Sequence, residues 1–429
     1  MWKHGRSWSG CSRDSRPDQR TSPCSARERA HVAEYSVIDD HAEFEAAAAA
    51  LAQGTGPVAV DVERASGFRY SQRAYLVQVY RRGAGVHLFD PPAIGEFRAL
   101  QDAIGDAEWV FHAASQDLPS LRELDLVPSR IFDTELASRL LGSDGFGLAA
   151  VVEHTLGITL AKAHSAADWS TRPLPDPWLE YAALDVLHLV DVRDALVAEL
   201  DAAGKSEIAA EEFDATLRRL PKPPREEPWR RLSGLHKVRG ARQLAVAREL
   251  WTAREQYAEE VDVSPGRLVP DRSLLAALLA SPRSKQELAG LKEFNGRASR
   301  TQLDRWWAAI EKGRTTDDLP RERVPSDALP PPRAWADRNP DADLRLKAAR
   351  PVIEALAEEL HMPTENLLTP EHLRRLAWQP PTELTAQSVG AALLELGARP
   401  WQVAHTAQKI VDAFVEGPQT PVEGLPSAS

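Results

Sequence analysis

Short apolar runs separated by turn residues fill the first third of the chain, and helical periodicity fills the rest. Tyr35–Val37, Val58–Val62, Leu76–Tyr80, Val86–Phe89 and Trp109–Phe111 are compact β-prone runs, and Gly54, Gly56, Gly83 and Gly85 mark turns between them. The Ala-rich segment Asp40–Leu51, with acids in its first turn, is expected to be helical. From Ser115 the period changes: Leu118, Leu121 and Leu124 recur at helical spacing, as do Leu136, Leu140 and Leu141. Pro173, Pro175 and Pro177 stop one segment, and a long helix is expected from Trp178 to Ala203. Strands followed by helices that pack on them predict one α/β domain over residues 34–205.

Beyond that domain no strand is expected. PKPPREEP (Pro221–Pro228) makes residues 206–226 a stiff, charged linker. Residues 227–313 are helical by the spacing in Ala245–Tyr257, Leu274–Leu279, Leu288–Leu291 and Leu303–Ile310. A second linker, 314–341, carries four prolines between Val324 and Pro332. A third helical block spans 342–416, broken at Pro363 and Pro380–Pro381, and the ends, 1–33 and 417–429, read as disordered tails.

The bulk numbers narrow the class. The chain is 43% hydrophobic and 27% charged, ordinary for a soluble globular protein, and no stretch nears the roughly 18 apolar residues that cross a bilayer. The polar, basic start has no apolar core and so is not a secretory signal; its Arg and Ser content imitates a transit peptide, and a disordered tail is the plainer reading. Cys11 and Cys24 both lie in that tail, leaving the folded part without a disulfide framework or a Cys-based zinc site, as fits a reducing cytoplasm. The net charge of −11 is unevenly spread. Residues 34–205 hold 13 Lys/Arg against 27 Asp/Glu, whereas 227–313 hold 16 against 11. An acidic block that takes up divalent cations beside a module that attracts phosphates has this asymmetry.

Three short motifs carry candidate chemistry. In VAVDVE, side chains two apart on a strand share a face, so Asp61 and Glu63 stand together while Val60 and Val62 face the core. In FHAASQDLPSL, Asp117 follows a strand at the start of a helix, where the helix dipole alone favours an acid. In YAALDVLHL, Tyr181 and Asp185 lie four apart on one helix face. Each alone is an ordinary surface feature. His112 and His188 read as core or surface histidines, and Gly204-Lys205-Ser206 lacks the first glycine of a phosphate-binding loop.

Taken in order, the three motifs resemble the DEDD exonuclease superfamily in its tyrosine subgroup, and the flanking text resembles RNase D: RYSQRAYLVQV (Arg69–Val79), FDTELASRLLG (Phe132–Gly142) and DWSTRPLPDPWLEYAALDVLHL (Asp168–Leu189). The resemblance covers roughly 34–205. It implies an α/β RNase H-like domain with catalytic residues Asp61, Glu63, Asp117, Tyr181 and Asp185, the four acids holding two Mg²⁺ or Mn²⁺ ions. By the same resemblance Asp61 bridges both ions, Glu63 and Asp185 complete one site, Asp117 serves the other, and Tyr181 orients the attacking water. Trp169 and Arg172, just before the last motif, are expected to touch the RNA strand.

Residues 227–313 resemble an HRDC domain, most clearly in PGRLVPD (Pro265–Asp271), and Arg297 and Arg300 beside Gly296 suit phosphate contact. Residues 342–416 resemble a second, weaker HRDC-like bundle. The expectation is therefore a monomeric, cytoplasmic 3′-to-5′ exoribonuclease that needs no nucleotide cofactor or membrane. It would release 5′-mononucleotides from single-stranded RNA 3′ ends, tRNA precursors above all. A 3′-5′ DNA exonuclease is the first alternative and a non-catalytic RNA-binding adaptor the second.

Overall fold

A computed structural model describes residues 35–160, 167–221, 223–323 and 328–417. Cys11, Cys24 and both expected tails, apart from Gly417 in the second, lie outside the described residues. Six strands form one mixed sheet in the order β1-β4-β3-β2-β5-β6. They are β1 (Val37–Ile38), β2 (Thr55–Arg64), β3 (Ala74–Arg82), β4 (Gly85–Phe89), β5 (Glu108–Phe111) and β6 (Arg130–Asp133). β2, β3 and β4 run antiparallel, while β5 pairs parallel to β2 and β6 parallel to β5. Val58, Ala59 and Val60 are all buried in succession, as befits a central strand covered on both faces. The expected first helix is His41–Gln53, with Asp40 as its N-cap accepting from Ala42 N and Glu43 N.

Three expectations change. β6, which ends on the first two residues of FDTELASRLLG, lies in a stretch where the sequence predicts only helical pattern from Ser115 onward. Four residues are too few for alternation to show, and the strand exists because Ile131 and Phe132 pack into the core beside β5. The long helix from Trp178 splits at His188 into Asp176–Leu187 and Leu189–Ala202. Residues 206–217, expected within a linker, form a helix whose Phe213 packs on Phe132 at 4.8 Å between ring centroids.

The two helical bundles open alike. Each begins with a 20-residue helix, Ala241–Glu260 and Pro340–Glu359, followed by a four-residue helix and then a longer one. Both long helices end in a non-glycine residue at positive φ, Asp262 at 46° and His361 at 47°, just before a backbone bond from Val263 N to Ala258 O or from Met362 N to Ala357 O. Both corners rest on the nuclease domain. Asp262 accepts from Ser71 N (2.9 Å) and Tyr75 OH (3.2 Å). At the other corner the Leu360 and His361 carbonyls accept from buried Lys205, which also reaches Leu140 O. Gly142 sits so close that a Cβ there would run into the His361 carbonyl. The bundles differ in their cores. The first has its own, around Phe294 and Trp306, whereas the second shares one apolar cluster with the nuclease domain.

Candidate active site

Three stretches of chain bring Asp61, Glu63, Asp117, Tyr181 and Asp185 to one cavity of about 320 Å³, with Arg64, Ser66, His112, Gln116 and Leu148 among the other walls. β2 supplies Asp61 and Glu63 on the face that the Asp176–Leu187 helix crosses. That helix supplies Tyr181 and Asp185 one turn apart, and it seats itself by burying Leu179, Ala182, Ala183 and Val186. Asp117 arrives by another route. β5 ends in a left-handed turn at Ala113 (φ 68°), held by Asp133 at the end of β6, whose carboxylate accepts from Ala113 N (3.0 Å) and Ala114 N (2.9 Å). The same carboxylate caps the next helix through Glu135 N and Leu136 N. Asp133 thus fixes the turn that aims Asp117 inward.

Carboxylate oxygens of Asp61, Glu63 and Asp185 all lie within 4.8 Å of one another. Asp117 stands outside that trio but acts on it electrostatically and is itself only 5% exposed. Burial pushes Asp61 up to about 6 against the pull of the Val62 backbone and Arg64. Burial, then the charges of Asp61, Asp185 and Asp117, push Glu63 up to about 10. Burial and Asp61 push Asp185 up to about 8, and Asp117 is raised by the same two causes. Burial and the neighbouring acids raise the Tyr181 phenol above its ordinary value, so it stays protonated and donates to Asp185. The donors are all oxygens, mutually repelling until a hard divalent cation joins them. This set fits Mg²⁺ or Mn²⁺ and not a thiol-seeking metal.

Two expected RNA contacts are corrected. Trp169 is fully buried, tilted against Trp178 at 5.4 Å and Tyr181 at 6.4 Å, so no base can stack on it. Arg172 is spent on the fold: it binds Asp90 through Nε (2.5 Å) and Nη2 (2.9 Å) and donates to the Trp169, Thr171 and Tyr75 carbonyls. Arg297 and Arg300 are exposed on the first bundle. Arg297 lines, with Arg267, Arg272 and Lys292, an open cleft of about 780 Å³, larger than the acid cavity but without its clustered acids. His112 reaches the acid cavity, hydrogen-bonded to Thr134, its pKa lowered by burial to about 4 and hence neutral. His188 caps the helix break. The sequence reading passed over Arg64, whose place depends on a register slip that alternation does not reveal, and Gln78, opposite Asp61 with both amide atoms buried and unpartnered.

Residues 35–201 match the family described as 3′-5′ exonuclease, 243–310 the HRDC domain, and 328–414 the 3′ to 5′ exonuclease C-terminal domain. Fold and cavity together define a 3′-5′ exonuclease of the four-acid class. Among curated relatives, ribonuclease D of Pseudomonas paraeruginosa is 31% identical over 325 residues, 74% of this chain and 83% of that protein. The chain belongs to the ribonuclease D family of 3′-5′ exoribonucleases. Matches vary in reach: ribonuclease D of Nitrobacter hamburgensis is 33% identical over 50% of this chain, and the match spans 58% of its own length. A solved protein of Bifidobacterium adolescentis superposes with a TM-score of 0.82 at 37% identity, covering 89% of this chain and 97% of that one. The structure of Escherichia coli RNase D superposes at 0.66 and 25% identity, covering 90% and 100%.

Proposed function

We propose that this protein trims the 3′ ends of structured small RNAs, tRNA precursors foremost, releasing 5′-mononucleotides one at a time. The observation that carries this is the convergence of Asp61, Glu63, Asp117 and Asp185, from three separate stretches of chain, with Tyr181 on one cavity. The Escherichia coli relative is described as an exoribonuclease involved in structured RNA processing, which supports the substrate class.

Asp61, Glu63 and Asp185 are the residues to hold one divalent ion, and Asp61 with Asp117 a second. When bound, such ions polarise the phosphate and lower the pKa of a coordinated water. Tyr181, fixed by its bond to Asp185, orients the attacking water, and its phenol, raised by burial and the neighbouring acids, keeps its proton to do so. Trp169, fully buried beside the Tyr181 ring, shields that side of the tyrosine from bulk water. The basic cleft of the first bundle, rimmed by Arg267, Arg272, Lys292 and Arg297, is suited to hold the strand's phosphates further from its end. The shared helix order and αL corner of the two bundles support reading the last one as HRDC-like in architecture. Action as a cytoplasmic monomer completes the reading; among the described residues no helix is long and apolar enough to cross a membrane.

Degradation of a 3′-extended tRNA in Mg²⁺, by wild type and Asp61→Ala, tests the reading, with a DNA oligonucleotide of the same sequence beside it. Shortening by wild type alone is expected, faster on RNA. Equal activity in the variant, or a preference for DNA, sinks it. Tyr181→Phe is expected to slow turnover and spare metal binding.

A further inference from the structure

Among the described residues, Arg64 is the one Lys or Arg lining the acid cavity. Its presence there is not what β2 predicts, since strict alternation sends residue 64 to the face opposite Asp61 and Glu63. The register between β2 and β3 slips at that point: Glu63 faces Leu76, but Arg64 faces Ala74. Such irregularities re-aim side chains at the edges of sites. The guanidinium is partly exposed, and among the described residues no ion pair or side-chain hydrogen bond holds it, even with four carboxylates around the same cavity. Other arginines near the site are engaged in the fold: Arg172 binds Asp90, and Arg69 donates to Ser170. Arg64 is poised without such a task.

Charge balance indicates what it awaits. Four ionised carboxylates and two divalent ions cancel, so that among the described lining residues the positive charge of Arg64 is left over. A phosphodiester brings a single negative charge, and more develops as the nucleophile adds. A guanidinium is the side chain suited to two oxygens of one phosphate, because its planar donors match their spacing.

Building on the exonuclease reading, we propose that Arg64 is a catalytic residue that donates to the non-bridging oxygens of the scissile phosphate at the RNA 3′ end. In that hydrolysis the water oxygen forms the new P–O bond and loses a proton to solvent. The bond from phosphorus to the O3′ of the penultimate nucleotide breaks, and that O3′ takes a proton. The released nucleotide keeps its 5′-phosphate. Arg64 holds the phosphate through this exchange and neutralises the charge that builds on it.

The test uses the full chain with Arg64→Met and Arg64→Lys. At saturating Mn²⁺, Arg64→Met is expected to lose about a hundredfold in kcat on a single-stranded RNA, and Arg64→Lys to recover part of it. Mn²⁺ affinity by calorimetry is expected to be unchanged or tighter, since a like charge has left the cavity. A readout free of turnover is binding of 5′-AMP against adenosine in Ca²⁺: Arg64→Met weakens the first and leaves the second. Wild-type kcat in Arg64→Met overturns the proposal, as does a rate loss that extra Mn²⁺ restores, or equal loss of AMP and adenosine binding. A wild type inert toward RNA would instead bring down the exonuclease reading itself.

Discussion

Two places in the nuclease domain bury carboxylates, and they do so in opposite ways. Asp90, just past β4 and 3% exposed, has both oxygens engaged by the Arg172 guanidinium. Asp61, Glu63, Asp117 and Asp185 share one cavity with each other, and the nearby guanidinium of Arg64 forms no ion pair with them. The first pair is closed: the chain supplies both charge and countercharge, and what it gains is attachment of the 168–175 segment to β3 and β4. The second set is open, and burial raises all four acids. A fold tolerates an uncompensated buried cluster only where something other than the fold requires it. Burial of acids thus marks stability in one region and function in the other, and the partner's origin tells them apart.

The largest effect that can break this contrast is on turnover. Asp61→Ala or Asp185→Ala is expected to cut RNA hydrolysis by about a thousandfold or more, in line with loss of a principal charge-stabilising group. Neither change is expected to lower the melting temperature of the metal-free protein, because each removes an acid whose ionised form burial disfavours. A variant that melts early and still turns over would place these acids with Asp90, in the closed class.

Next is the converse substitution. Asp90→Ala strands the Arg172 guanidinium, and breaking a buried pair costs about 3–5 kcal/mol. The Arg172 side chain is 34% exposed, so water relieves part of this and the lower end applies, about 3 kcal/mol. Denaturant midpoints measure it. Mn²⁺ affinity is expected to stay as in wild type, and a matching loss of metal binding would show that the two regions are not separate.

Ionisation separates them more finely. Without metal, Asp61 at about 6, Asp185 at about 8 and Glu63 at about 10 hold protons that the unfolded chain releases near pH 4. The folded state binds more protons there, so this stabilising contribution is full below about pH 4 and is lost as pH rises through about 6 to 10. With saturating Mn²⁺ the acids stay ionised, and at about a hundred times Kd the metal adds about 2.7 kcal/mol. Melting curves across this range, in EDTA and in Mn²⁺, are expected to diverge as pH rises. Parallel curves would mean that these carboxylates never meet the ion.

The sequence shows the open site better than the closed one, for a physical reason. Asp61 and Glu63 sit at strand spacing and Tyr181 and Asp185 at helix spacing, so local periodicity alone sets each pair on one face. Trp169 and Arg172 look equally apt for RNA or for the core, because the deciding partner, Asp90, is 82 positions away. Arg64 was passed over since a register slip has no signature in the alternation of β2. β6 is four residues long, and the Ser206–Leu217 helix is held by Phe132 and the last bundle rather than by its own pattern. Five of the six strands, the order of domains and three of the acids were thus local information; β6, Asp117 and the links between domains were not.

The smallest expected effect concerns those links, where the same closed-versus-open distinction recurs. The two bundles press an equivalent αL corner on the nuclease domain, but Lys205 meets the buried Leu140 carbonyl and the half-buried Leu360 and His361 carbonyls, whereas Asp262 meets a loop amide and the Tyr75 hydroxyl. Lys205→Met leaves those carbonyls without their donor, at about 1–3 kcal/mol. It is expected to lower the melting temperature and leave turnover intact, since the corner lies beside Gly142 and the shared core. Asp262→Ala frees a partly exposed contact worth about 1 kcal/mol. The loop it holds, Ala65 to Arg73, begins directly after Arg64, and Arg267 of the same bundle grips it by donating to Gly67 O and lying 3.9 Å over the Phe68 ring. Asp262→Ala is therefore expected to change kcat on a trinucleotide too short to reach the bundle's cleft, by about twofold to fivefold, the amount that roughly 1 kcal/mol at a positioning contact allows. A kcat effect from Lys205→Met and none from Asp262→Ala would reverse the assignment, making the shared-core bundle the one that bears on catalysis.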